Sequence, residues 1–91
     1  MNNNEKLKVV DIKGNTKEYD ILYAFYWIKT DKNYVIYTDN TYDENNSLNI
    51  FASIYYPNDN TKLDNINTIE EWNKIESILK NELNSDGEIN E

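Results

Sequence analysis

Two carboxylate groupings are the residues of this sequence most able to do chemistry. Asp39-Asn40-Thr41-Tyr42-Asp43-Glu44 offers hard oxygen ligands of the kind Ca²⁺ and Mg²⁺ take. Asp39, Thr41 and Asp43 fit positions 1, 3 and 5 of a helix–loop–helix calcium loop, but Glu44 stands where that pattern needs glycine and Ile50 where it needs glutamate. The spacing therefore favours a solvated loop. Asn58-Asp59-Asn60 has no acidic partners at ligand spacing. The second grouping, Glu70-Glu71, offers paired carboxylates for acid–base work. Adjacent helical residues point about 100° apart, so the two do not converge on one substrate atom.

Other catalytic chemistry lacks its residues. The chain has no histidine and no cysteine, which removes the usual general base, the thiolate nucleophile and the ordinary zinc sites. Ser53 lies inside an extended run with no base near it in sequence. Gly14 and Gly87 are the only glycines, too few for a phosphate-cradling loop. No cofactor is expected. An enzyme built on carboxylates and tyrosines, with a divalent metal, is the third-ranked reading.

Charge narrows the partners. Nine lysines, no arginines and 17 acids leave a net charge of −8 over 91 residues. Direct grip on a phosphate backbone is disfavoured, because that affinity comes from cations neutralising phosphates. An anionic membrane surface is disfavoured for the same reason. The opening MNNNEKLKVVDIKG has no apolar core of a signal peptide. The longest unbroken apolar run, Ile21 to Ile28, is eight residues, far short of the roughly 20 that span a bilayer. The expectation is a soluble, cytoplasmic protein.

The composition also supplies a bland account of itself. Asparagine, isoleucine, lysine and tyrosine make up 45 of the 91 residues, and all four have A+T-rich codons. Leu, Ile, Val and Phe amount to 22 residues, a little above the roughly 20% below which charged chains stay unfolded. A modest core is available, in one small domain.

Periodicity places the elements. Leu7 to Ile12 reads as a β-strand, and Gly14-Asn15 as a hairpin turn in which glycine supplies positive φ. Thr16 to about Ile28 follows as a second strand, with Tyr19, Ile21, Tyr23, Phe25 and Trp27 on one face. Thr30 to Asn33 is a turn, Tyr34 to Thr38 a third strand, and Asp39 to Ser47 a polar loop. Leu48 to Tyr56 alternates as the fourth strand and stops at Pro57. Pro57 to Asn60 is a turn, and Thr61 to Ile66 offers a short edge strand around Leu63.

A helix follows. Thr68-Ile69-Glu70-Glu71 is a capping box, with Thr68 as N-cap and Glu71 reaching back to it. Trp72, Ile75, Ile78, Leu79 and Leu83 form one apolar stripe. Asn84-Ser85-Asp86-Gly87 ends the helix. The fold class is α+β: an antiparallel four- to five-stranded meander with one C-terminal helix packed on one face. Residues 1–6 are a flexible lead-in, 7–84 the single domain, and 85–91 a disordered acidic tail.

The order GNTKEYDILYAF, NYVIYT, LNIFASIYYPNDNTKLDNI and NTIEEWNKIESIL resembles the YrzB-like family of small acidic proteins from low-G+C Gram-positive bacteria. The resemblance covers roughly residues 7 to 83 and is most specific at Thr68-Ile69-Glu70-Glu71-Trp72. The loops here carry asparagine where the family tends to carry aspartate and glutamate. The resemblance implies no catalytic or cofactor-binding residues. It implies a gene neighbourhood shared with a Holliday-junction-resolvase-like protein and an alanyl-tRNA synthetase, which links it to nucleic-acid metabolism by association alone.

Binding then becomes the leading expectation. If the alternation holds, Leu22, Tyr26, Tyr37, Phe51 and Tyr55 project from the sheet face away from the helix, a candidate partner patch of aromatic area. Gly14, Thr68, Glu71 and Trp72 are structural. The leading reading is a non-enzymatic protein–protein interaction or regulatory module whose protein partner is basic. A DNA mimic that occupies the cleft of a nucleic-acid enzyme is the alternative, since residues 68–91 carry seven acids and two lysines. A homodimer through the open face competes with both.

Overall fold

The computed structural model describes residues 6–10 and 12–82, without the side chains of residues 60 and 61. Its elements are β1 (Lys6–Val10), β2 (Thr16–Trp27), β3 (Lys32–Tyr42), β4 (Leu48–Tyr56), β5 (Asp59–Asp64) and α1 (Ile69–Glu82). The strands form one antiparallel sheet in the order β1-β2-β3-β4-β5. This is the expected α+β meander with one helix. The sheet curls far enough to bring β1 against β5, so it is nearly barrel-shaped.

Because each strand alternates its side chains, the sheet has two apolar faces, and both are packed. On the outer face, Tyr34 and Ile36 of β3 and Ile50, Ala52 and Ile54 of β4 meet Ile75 and Leu79 of α1. That is the face the helix covers. The curl buries the other face. There Val35 and Tyr37 meet Leu7 of β1, with Tyr19, Phe51, Tyr55 and Leu63 of β5 packed around them. The rings of Tyr19, Tyr37 and Phe51 lie 5.0 to 6.4 Å apart, within the range of favourable aromatic pairs.

One irregularity joins the two halves of β2. Ile21 pairs with Tyr37 but Tyr23 pairs with Ile36, so Leu22 is an extra residue in β2. This β-bulge inverts the alternation. Tyr19 and Ile21 face the inner core, whereas Leu22, Tyr23, Phe25 and Trp27 pack on the outer one. The single-face reading of Tyr19 through Trp27 is therefore corrected at Leu22.

Other boundaries shift for local reasons. β1 ends at Val10, and Ile12 stands fully exposed in the turn, where Gly14 takes φ +87°. The β2–β3 turn spans residues 28–31 and closes with Asp31 at φ 56°, its amide donating to the Trp27 carbonyl at 2.9 Å. β3 runs well past Thr38. A second irregularity before Tyr42, with Asn40 at φ 64°, lets the polar segment continue the ladder. β5 begins at Asp59 directly after a tight Pro57-Asn58 turn. Leu83, the stop at residues 84–87, the acidic tail and the first five residues lie outside the described residues. No helix among the described residues is long and apolar enough to cross a membrane.

Candidate functional site

The helix start is where the sequence concentrates its chemistry. Thr68 caps it: its hydroxyl oxygen accepts from the Glu71 amide at 3.1 Å and its O–H donates to Glu71 Oε1 at 2.8 Å. Glu71 is only 3% exposed. Its Oε2 accepts from the Tyr34 hydroxyl at 2.5 Å and lies 3.6 Å from Lys32 Nζ. Tyr34, itself buried, shares a further hydrogen bond with the Thr30 hydroxyl at 2.7 Å. Glu70 pairs with Lys29, and Lys74 Nζ sits 5.6 Å from the centre of the Trp27 ring. The cap is thus also a latch that joins α1 to the β2–β3 turn and to β3.

Electrostatics follow from that wiring. Burial alone would raise the Glu71 carboxyl. The Tyr34 and Thr68 hydrogen bonds and the nearby Lys32 charge outweigh it and hold the group below the usual glutamate value. The same burial, together with the bond to Glu71, pushes the Tyr34 phenol up to about 12. Glu71 is therefore an anion fixed by donors, with no adjacent open pair for proton transfer. Trp72 is half-buried at the rim of the helix-side core, and its indole N–H donates to the Ile66 carbonyl at 3.2 Å. Ile75, with no exposed surface, is the helix residue at the centre.

The carboxylates of the β3–β4 segment are also committed. Asp39 Oδ1 accepts from the Thr41 amide at 3.0 Å and from its hydroxyl at 2.6 Å, which hold its pKa below the ordinary aspartate value. Asp43 Oδ1 accepts from the amides of Asn45 and Ser47, at 2.8 and 3.0 Å, and so folds the tip. Among the described residues no group of three or more acids gathers as a metal would need. Asp20 likewise serves structure, bridging Lys6 of β1 to the Asn40 side chain of β3.

The five residues of the expected patch do not form one open surface. Leu22 departs to the helix side because of the bulge. Tyr37 is 8% exposed and donates to or accepts from Ser53 Oγ at 2.9 Å; Phe51 and Tyr55 are half-buried against it. The curl of the sheet, with Leu7 and Leu63 closing over the face, accounts for all three. Tyr26 alone stands out, 53% exposed, its hydroxyl donating to Asp31 Oδ1 at 2.5 Å. Sequence reading missed Ile28 and Ile69, exposed at 81% and 79% in the two segments that the Lys29–Glu70 pair joins. Their signal was faint: Ile28 follows the last residue of β2 and Ile69 is the first of α1, so neither breaks a regular pattern.

Fold and site together define a small acidic α+β domain in which Asp20, Asp39, Asp43 and Glu71 are engaged in internal hydrogen bonds. A UPF0473 protein of Bacillus pumilus is 34% identical over 90 residues, spanning 96% of this chain and 95% of that protein. YrzB of Bacillus subtilis, also a UPF0473 protein, is 33% identical over 92 residues, covering 97% and 99%. A UPF0473 protein of Leuconostoc mesenteroides is 26% identical over 91 residues, covering 94% and 92%. No protein-family model matches the chain, and no solved structure matches it. The chain belongs to the UPF0473 family.

Proposed function

We propose that this protein is a non-enzymatic interaction module of the cytoplasm, acting through contact with a basic protein partner. One observation carries this reading. The groups that chemistry would need, Glu71, Asp39 and Asp43, are spent on internal hydrogen bonds. Large apolar side chains, in contrast, are left open beside the β2–β3 turn and the helix start, at Tyr26, Ile28 and Ile69. Exposed apolar groups rimmed by charge are what a contact surface presents. The charge of −8 steers a cationic partner toward the protein.

Affinity capture from lysate of a low-G+C Gram-positive host tests the reading, with wild type set beside a Ile28→Ser, Ile69→Ser double variant at low and high salt. A partner held by wild type and lost by the variant is the expected result. A partner insensitive to both isoleucines and lost only at high salt would transfer the role to the acidic surface, as the nucleic-acid-mimic alternative requires. Capture of no partner would overturn the reading.

A further inference from the structure

The segment that joins β3 to β4 repeats one local arrangement, and it carries an inference independent of the partner. Asn40 and Asn46 both adopt left-handed backbone, at φ 64° and 66°, a region that few side chains other than asparagine tolerate. In each case the next residue's amide is held by an aspartate carboxylate. Thr41 N–H donates to Asp39 Oδ1 and Ser47 N–H to Asp43 Oδ1, both at 3.0 Å. The two asparagines differ in their side chains. Asn40 Nδ2 donates to Asp20 Oδ2 at 2.7 Å, whereas Asn46 is exposed and its side chain makes no hydrogen bond among the described residues.

An asparagine side chain and the amide that follows it can react with each other. The nitrogen of the following residue attacks the side-chain Cγ, ammonia leaves, and a five-membered succinimide closes. Water then opens the ring to aspartate, or to isoaspartate with a backbone one carbon longer. Water is the only co-reactant. Two conditions set the rate: the attacking nitrogen must be free to lose its proton, and the side chain must be free to fold back on it. A small, unbranched neighbour obstructs the ring least. Among the described asparagines Asn46 alone precedes serine, and the others precede larger or β-branched side chains. Its own side chain is free, so the second condition is met and the first is not.

We propose that Asn46 is a site of spontaneous deamidation and that the Asp43 carboxylate controls its rate, by holding the Ser47 N–H in a charge-assisted hydrogen bond that keeps the attacking nitrogen protonated. Asp43 Oδ1 also accepts from the Asn45 amide at 2.8 Å, and the Asn46 amide donates to the Asp43 carbonyl at 3.0 Å, so the bend is fixed on both sides of Asn46. The reaction adds a negative charge to a tip that already carries Asp39, Asp43 and Glu44. Its isoaspartate branch lengthens the backbone between Tyr42 and Leu48, which pair across the hairpin.

Peptide mapping by mass spectrometry of the full chain, held in warm neutral buffer with and without urea, tests this. The mass gain of amide to carboxylate at Asn46 should build up about tenfold more slowly in native protein than in urea. Asp43→Ala should raise the native rate at Asn46 about tenfold and leave Asn40, held by Asp39, unchanged. Asp43→Asn keeps an oxygen acceptor for the same amide and should fall between the two. Glu44→Ala removes an equal charge from the same tip and should keep the wild-type rate. Circular dichroism verifies that the variants fold. Native conversion at Asn46 as fast as in urea would overturn the proposal, as would conversion in Asp43→Ala no faster than in wild type. So would an equal acceleration in Glu44→Ala, or another asparagine of residues 12–82 outpacing Asn46 in Asp43→Ala.

Discussion

The hydroxyl of Tyr34 donates to Glu71 Oε2 across 2.5 Å, between a strand residue 1% exposed and a helix residue 3% exposed. Charge-assisted bonds of this kind are the stronger ones, and a buried carboxylate deprived of a donor keeps its desolvation cost. Tyr34→Phe should therefore lower stability by about 1–3 kcal/mol. Lys32→Ala, which removes only a half-exposed partner 3.6 Å from the same oxygen, should cost no more than about 1 kcal/mol. Urea denaturation of the two variants measures the contrast.

Acid and alkali should strain this bond from opposite ends. Glu71 is held below its ordinary pKa, so its contribution is complete above the unfolded-state value and is lost as pH falls through the folded-state value. Glu71→Gln should flatten that acid limb. Tyr34 is raised from 10.0 to about 12, so its contribution is complete below 10 and fades as pH climbs toward 12. Tyr34→Phe should remove the alkaline loss in that window. Stability curves against pH for both variants check the two signs.

Much of this was legible beforehand. Thr68 and Glu71 announced the helix start by the spacing of hydroxyl and carboxylate, and β4 announced its two faces by strict alternation from Leu48 to Tyr56. The unusual depth of Glu71 was hidden, because a capping glutamate normally lies on the surface and its burial depends on Tyr34, 37 residues away. The fate of Tyr37 was hidden too. Period-two alternation assigns a face to each residue, but whether that face meets solvent depends on the curl of the whole sheet. At Leu22 the pattern misled outright, since an uninterrupted apolar run gives no sign of an inserted residue.

That insertion makes a sharp test. Removing Leu22 would make the β2–β3 ladder regular, because Ile21 would still pair with Tyr37 and Tyr23 with Ile36 as consecutive rungs. Tyr19 and Ile21 would keep facing the inner core, and Phe25 and Trp27 the outer one. The deletion should therefore preserve the near-ultraviolet dichroism of the packed aromatic rings, as Leu22→Ala should, and its loss on deletion would contradict the bulge assignment.

Ile75 offers the complementary measure of the helix-side core. It has no exposed surface and packs with residues of β3 and β4. Ile75→Ala should cost about 2–5 kcal/mol, a large share of the roughly 5–10 kcal/mol expected of a domain this size. Trp72→Phe keeps most of the packing and gives up only the bond to the Ile66 carbonyl, so about 1 kcal/mol is expected. Thermal and urea midpoints rank the two.

The central claim, that this domain works by surface contact while its carboxylates hold the fold, is tested most directly by NMR of isotope-labelled protein in unlabelled host lysate. Amide signals of Tyr26, Ile28, Lys29, Ile69 and Glu70 should broaden selectively, and those of Asp39 to Asp43 should not. Selective change in the Asp39–Asp43 segment, with the helix start untouched, would contradict the account.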